Sequence, residues 1–381
     1  MAFKMKQKIL AILLLISYLS EGQSTKIDTI PFTTKSSLLA FKGKINGIET
    51  DFVIDTGAFI GVITTSKANS AKIKISGNKN VTDSNDNDSK MQQGIIESLF
   101  IGSFEIKNVK SVVYDMPLLA CNDYYLLGGN AINILNWKID FEKNVLYVSK
   151  STFEHPTEML EMPISYKQNR HFTNFFINET EFKNCLIDLG YNGFFEVSDK
   201  NPFFKKLMQE NKERVIMGSK FNMSLSKMKF NNYYAFSFDN LKIDNKKFDH
   251  LKIEIRENID NKIGLKFFSQ LFSVMIMNNT DSKYYLKPSN KPASLQMNFD
   301  AECLLKDGKL IIACKNNNPE SSAKDLETDE EIKSIDGSKV EDFKDECAFL
   351  LWKIENSKKD ECIIEKLNGQ KITIKKQVLK S

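Results

Sequence analysis

From Ile27 to about Lys150 the chain is a succession of short apolar runs separated by Asn, Gly, Asp and Ser. Runs of that length, broken by turn residues, predict strands and an all-β region. Leu38 to Ile45 predicts a strand, Asn46-Gly47 a tight hairpin turn, and Ile48 to Ile54 the return strand, which runs into Asp55. A β-rich run, Gly61 to Thr64, follows. Ser76 to Gln93 is polar, with the turn-rich Asp83 to Asp88, and predicts a hairpin or loop outside the core. Leu99 to Gly102 and Val112-Val113 predict a second hairpin. After Leu126-Leu127-Gly128-Gly129-Asn130 comes a short helix, and Trp137 to Phe141 with Val145 to Val148 close the unit as another hairpin.

The same order recurs. Phe175 to Asn178 turns into Phe182 to Ile187, which ends at Asp188. Leu241 to Phe248 and Leu251 to Ile255 match the second hairpin. Lys262-Ile263-Gly264 matches Leu126-Leu127-Gly128, and Val274 to Met277 with Tyr284 to Leu286 matches the closing hairpin. Asp55 and Gly128 are 73 residues apart, Asp188 and Gly264 76. Two strand-to-Asp-to-Gly units of such similar length predict a duplicated lobe.

His155 to Pro163 reads as the linker between the lobes, and Pro288 to Pro292 as the one after them. Beyond it, Leu310 to Lys315 predicts a strand entered from Asp307-Gly308. Pro319 to Ala323 predicts a loop leading into a short helix, and Glu330 to Gly337 a strand ending in a turn. Asp342 to Ile354 carries helical apolar spacing, and Cys362 to Lys366 with Lys371 to Lys376 predicts a hairpin around Asn368-Gly369. The division expected is 1–22, 23–155, 156–290 and 291–381.

The first of these segments changes the picture of where the protein works. Lys4, Lys6 and Lys8 precede an apolar run, Ile9 to Leu19, too short to span a bilayer comfortably, and small residues follow at Ser20 and Gly22. That is the pattern of a cleaved signal peptide. It predicts a periplasmic or secreted mature protein with no stable membrane span. With 53 basic and 49 acidic residues in 381, the net charge is +4, and no basic stripe with interleaved aromatics points to nucleic acid. Six cysteines are too few for a disulfide scaffold. Four of them lie after residue 300, where an oxidising compartment would allow one bridge, and the pairing is left open. His155, His171 and His250 have no metal-ligand spacing and read as surface or satisfied core residues, so neither metal nor cofactor is expected.

The chemistry lies in the two strand-end acids. Two carboxylates held about 3 Å apart cannot both ionise, so one stays protonated to polarise a carbonyl while the other activates water. A duplicated unit with one Asp in each copy is a direct way to bring such a pair together.

Asp55-Thr56-Gly57-Ala58 and Leu126-Leu127-Gly128 resemble the motifs of the retropepsin-like (pepsin/retropepsin clan) aspartic proteases, here as a two-lobed single chain over about residues 27–287. The resemblance implies a mainly β fold: two duplicated retropepsin-like β-barrel lobes forming an acid-protease fold. It implies Asp55 and Asp188 as catalytic residues and Thr56, Gly57, Ala58, Gly190, Gly128 and Gly264 as active-site scaffold. Ser76 to Gln93 would be a flap over a polypeptide substrate. Asp188-Leu189-Gly190 departs from the family pattern by placing leucine where a bracing hydroxyl is usual. The last ninety or so residues resemble a PDZ domain, a small α+β unit, in the order Leu310-Ile311-Ile312-Ala313, Ser322-Ala323, Glu330 to Gly337 and the helix near Asp342 to Leu351. This implies a peptide or C-terminus ligand bound near Met297-Asn298-Phe299. Two lobes in one chain need no partner to assemble the pair, so a monomer is expected. Two readings stand: an exported aspartic-type endopeptidase, or a catalytically inactive, protease-like peptide-binding protein.

Overall fold

The computed structural model describes residues 26–82, 88–223, 228–256 and 261–379. The N-terminal segment read as an export signal and the turn at Asp83 to Asn87 lie outside these residues. No helix among the described residues is long and apolar enough to cross a membrane.

The fold is mainly β, and the two copies of the repeat build the same sheet. In the first lobe the strands run in the order Ala40–Ile45, Ile48–Ile54, Tyr124–Leu127, Gly61–Ile63, Phe104–Val113, Asp88–Ile101 and Lys74–Thr82. In the second the order is Arg170–Ile177, Thr180–Asp188, Lys262–Gly264, Phe195–Ser198, Leu251–Arg256, Met228–Phe238 and Ile216–Met223. Each acid-bearing strand pairs in parallel with the strand that ends in the lobe's Gly: Ile54 lies against Leu127, and Asp188 against Gly264. The first sheet closes when Lys44 and Ile45 pair with Phe100 and Leu99. The second closes through Leu241–Ile243 against Phe176 and Ile177, as expected for the segment matched to Leu99 to Gly102.

The closing hairpins of the two lobes lie side by side. Trp137 to Asp140 pair antiparallel with Val274 to Met277, so one sheet runs continuously between the lobes. Ile27–Thr33 extends it at one side and Leu160–Pro163 at the other. The stretch read as an interlobe linker therefore contains a strand, because Leu160 and Met162 alternate inward and are buried there. Trp137 is fully buried, and its indole N–H is satisfied by the Ile132 carbonyl at 2.9 Å.

A third sheet follows, in the order Gln296–Phe299, Lys371–Val378, Glu361–Lys366, Glu331–Ile335, Lys309–Lys315 and Ala301–Lys306. The helix Glu346–Asn356 covers it through Phe349, over a separate apolar core. Three expectations fail here. Met297-Asn298-Phe299 is strand, not a ligand-binding loop. The segment after Pro319 makes turns where a short helix was expected. The helix begins at Glu346, where Asp345 caps it by accepting from the Ala348 N–H at 2.8 Å. The disulfide also differs: Cys121 bonds Cys347, across 226 residues, while Cys185, Cys303, Cys314 and Cys362 are buried and take no part in it. The bridge ties the first-lobe helix Pro117–Asn122 to the C-terminal helix. On its other side this unit grips the second lobe. Asn316 bridges Gly218, the Asn317 N–H donates to the Met217 carbonyl at 2.9 Å, and Met297 and Leu379 pack with Ile216 and Ala235.

Candidate functional site

Phe52, Val53 and Ile54 are almost wholly buried, which fixes the end of their strand and delivers Asp55 to the seam between the lobes. Asp188 arrives from the equivalent strand of the other lobe. A Cβ added at Gly57 would lie 2.7 Å from the Asp188 carboxyl carbon, and one added at Gly190 2.4 Å from that of Asp55. Each acid thus rests against the other lobe's glycine, and only a residue without a side chain permits the approach. Gly128 and Gly264 allow close approach within their own lobes, to the Ile60 backbone and to Gly193 and Tyr191.

The loops are cross-braced from one side. The Thr56 hydroxyl donates to the Ile187 carbonyl at 2.7 Å and accepts from the Leu189 N–H at 3.0 Å. Leu189 is fully buried in the core and returns no such pair. Asp55 Oδ1 accepts from the Gly57 and Ala58 N–H groups, both at 2.9 Å. Burial first, then the neighbouring Asp188 carboxylate, push the Asp55 carboxyl up to about 8. Asp188 is also raised, chiefly by burial, with Lys262 opposing and Glu196 adding to the shift. Two acids so placed can hold one proton between them near neutral pH, which supplies an acid and a base at one point.

His171 lies beside the Thr56 loop, with its backbone N–H donating to the Thr56 carbonyl at 3.4 Å. Its ring is fully buried between the Tyr284 hydroxyl and Asn133 Oδ1. Burial lowers its pKa to about 3, so the ring is neutral, with Nε2–H donating to Asn133 and Nδ1 accepting from Tyr284. This is a satisfied core histidine. Among the described residues no group of acids, histidines or cysteines is arranged to hold a metal ion.

A hairpin, Lys74–Thr82 with Asp88–Ile101, rises over the first lobe where the sequence placed a flap. Its Val81 and Met91 pack down on Val53, Ile60, Val62 and Leu126. A counterpart over the second lobe, Ile216–Met223 with Met228–Phe238, has no expectation in the sequence reading. Nor has the charged cluster beside Asp188. There the Tyr191 hydroxyl donates to Glu196 Oε2 at 2.8 Å, Arg256 Nε lies 2.8 Å from the same oxygen, and Lys262 Nζ lies 3.3 Å from Oε1. Superposing the two repeats residue by residue would have revealed it, since its members align with apolar residues of the first lobe.

Two acids at the seam of pseudo-symmetric β lobes define the architecture of an acid-protease fold. The family model described as aspartyl protease matches residues 41–131, which include Asp55 to Ala58 and Leu126 to Gly128. Among solved structures, the aspartic proteinase from Irpex lacteus is similar at 9% identity and TM-score 0.45, over 70% of this chain and 98% of that one. Basic 7S globulin from soybean is similar at 7% identity and TM-score 0.41, over 69% and 94%. A retropepsin-like aspartic protease from Rickettsia conorii shares 23% identity at TM-score 0.25, over 33% and 92%. No curated protein matches the chain in sequence.

Proposed function

We propose that the protein is an exported aspartic-type endopeptidase that hydrolyses peptide bonds with water activated between Asp55 and Asp188. The observation that carries this reading is the mutual approach of each carboxyl to the opposite lobe's glycine. In the proposed reaction the ionised member takes a proton from water, while the protonated member donates to the scissile carbonyl oxygen. The proton taken from water then passes to the leaving amine nitrogen as the C–N bond breaks, and a hydroxyl of the tetrahedral carbon returns its proton to the other carboxylate. Export is inferred from the Lys4 to Gly22 pattern. It accords with the Cys121–Cys347 bridge, which persists in an oxidising compartment.

For the C-terminal unit we favour a positioning role over peptide capture. Lys353, on its helix, reaches Glu302 at 3.1 Å and the Cys303 carbonyl at 3.3 Å, both on the edge strand to which an added peptide strand would pair. Buried Leu189, in place of the second bracing hydroxyl, favours the alternative, an inactive peptide-binding cleft. A statine-containing peptide and its hydrolysable counterpart separate the two. The endopeptidase binds the first and cleaves the second, with cleavage raised in Leu189→Thr. Binding of both with cleavage of neither, in wild type and variant alike, establishes the alternative.

A further inference from the structure

The pseudo-twofold relation between the lobes makes their two walls directly comparable, and they differ in chemistry. In the first lobe Val53 lies two residues before Asp55, so both side chains point to the same face of their strand. Val53 pairs with Leu126, Val62 with Leu126 and Val62 with Val112. All four are buried in one apolar cluster that also includes the half-buried Ala58. In the second lobe the same pairings are Leu186 with Lys262, Glu196 with Lys262 and Glu196 with Glu254. An apolar trio has become two glutamates and a lysine, on the face that carries Asp188.

This wall is built. Arg256, 1% exposed, holds Glu196 at 2.8 Å and Glu254 at 3.5 Å. The Lys262 ammonium sits 4.2 Å over the Tyr191 ring, in the loop that follows Asp188. Lys262 is the most exposed of the four charged side chains, 13% accessible against 0% for Glu196 and Arg256 and 6% for Glu254. A buried charge network costs desolvation that apolar residues of like volume avoid, and the first lobe has apolar residues at the same positions.

An extended peptide lying across the two acids sends successive side chains to opposite faces, so the residues flanking the scissile bond meet different lobes. We propose that Lys262 is a specificity-determining residue: the second-lobe side of the cleft selects an acidic side chain, and the first-lobe side an apolar one. Leu126 and Lys262 hold equivalent places, each two residues before the lobe's scaffold glycine, so the polarity of one residue sets each preference. A carboxylate reaching Lys262 gains a charge-assisted bond with an ammonium held in place by Glu196 and Tyr191. This inference rests on the peptide-cleft reading above.

The test uses four peptides with a hydroxyethylene isostere in place of the scissile bond, flanked by Leu–Leu, Leu–Glu, Glu–Leu or Glu–Glu. Binding to wild type, Lys262→Met and Lys262→Arg is measured by calorimetry, which needs no turnover. One mixed peptide should bind wild type about tenfold more tightly than Leu–Leu. Lys262→Met should reverse that order, and Lys262→Arg should keep it. Tightest binding of Leu–Leu to wild type overturns the proposal, whatever the variants do, as does an unchanged order in Lys262→Met. If the ranking holds but the corresponding amide peptides are not cleaved, the endopeptidase reading fails and the role of Lys262 stands. If no isostere peptide binds, both fall.

Discussion

At Gly190 a methyl group would fall 2.4 Å from the Asp55 carboxyl carbon, so the acid would have to move. Gly190→Ala should therefore lower peptide cleavage by about 100-fold, the scale of an ångström-sized misplacement, and cost about 1–3 kcal/mol of stability as overpacking of the buried seam. The Asp55 carboxyl carries a second, thermodynamic signature. Its folded pKa of about 8 exceeds the unfolded value of about 3.9, so the native state binds more protons between these limits and loses stability as pH rises through them. Asp55→Asn should unfold at a higher temperature than wild type at pH 8 and show no such gain at pH 4; parallel curves at both would contradict the shared-proton account. His171 acts in the opposite sense. Its folded pKa of about 3 lies below the unfolded value of about 6.5, so its contribution is complete above that value and is lost as pH falls towards 3. His171→Gln should lose less stability between pH 6.5 and 4 than wild type does, read from denaturant midpoints at each pH.

Among the elements, the helix Pro117–Asn122 and the hairpin over the second lobe, Ile216–Met223 with Met228–Phe238, matter most for the cleft. Leu119 of that helix belongs to the apolar wall under the first hairpin, and Cys121 ties the helix to the C-terminal unit. That unit in turn holds the base of the second-lobe hairpin at Met217 and Gly218. One unit thus fastens structures on both sides of the cleft. Closing a loop as long as the one between Cys121 and Cys347 restricts the unfolded chain strongly, so Cys121→Ser with Cys347→Ser should cost about 2–4 kcal/mol in chemical unfolding. Protease-limited cleavage near 117–122 should quicken in the same double variant. An unaltered unfolding midpoint would mean that packing alone fastens the unit.

Over the whole molecule, the repeat was legible because strand-to-Asp and apolar-pair-to-Gly recur at similar separations, and because Asn46-Gly47 and Asn368-Gly369 mark hairpins locally. The acids and glycines could be located for the same reason: burial, turn and chemistry coincide within four residues at Asp55 to Ala58. What stayed hidden depends on distant pairing. Leu160–Pro163 is too short to declare itself until Lys283–Pro288 lies beside it. The second-lobe hairpin, Ile216–Met223 with Met228–Phe238, carries too many polar residues to show a clear strand pattern. Cys121 gave no local sign of Cys347, and Glu196, Arg256 and Lys262 look like surface charges until three strands assemble them.

The central claim is that one hydrolytic site needs an acid from each lobe. Its most direct test is a peptide-library digest, across acid to neutral pH, by wild type, Asp55→Asn and Asp188→Asn, each first shown to be folded. The account predicts cleavage products from wild type alone, with both variants reduced to background. Equal cleavage by all three, or loss in only one variant, would contradict it.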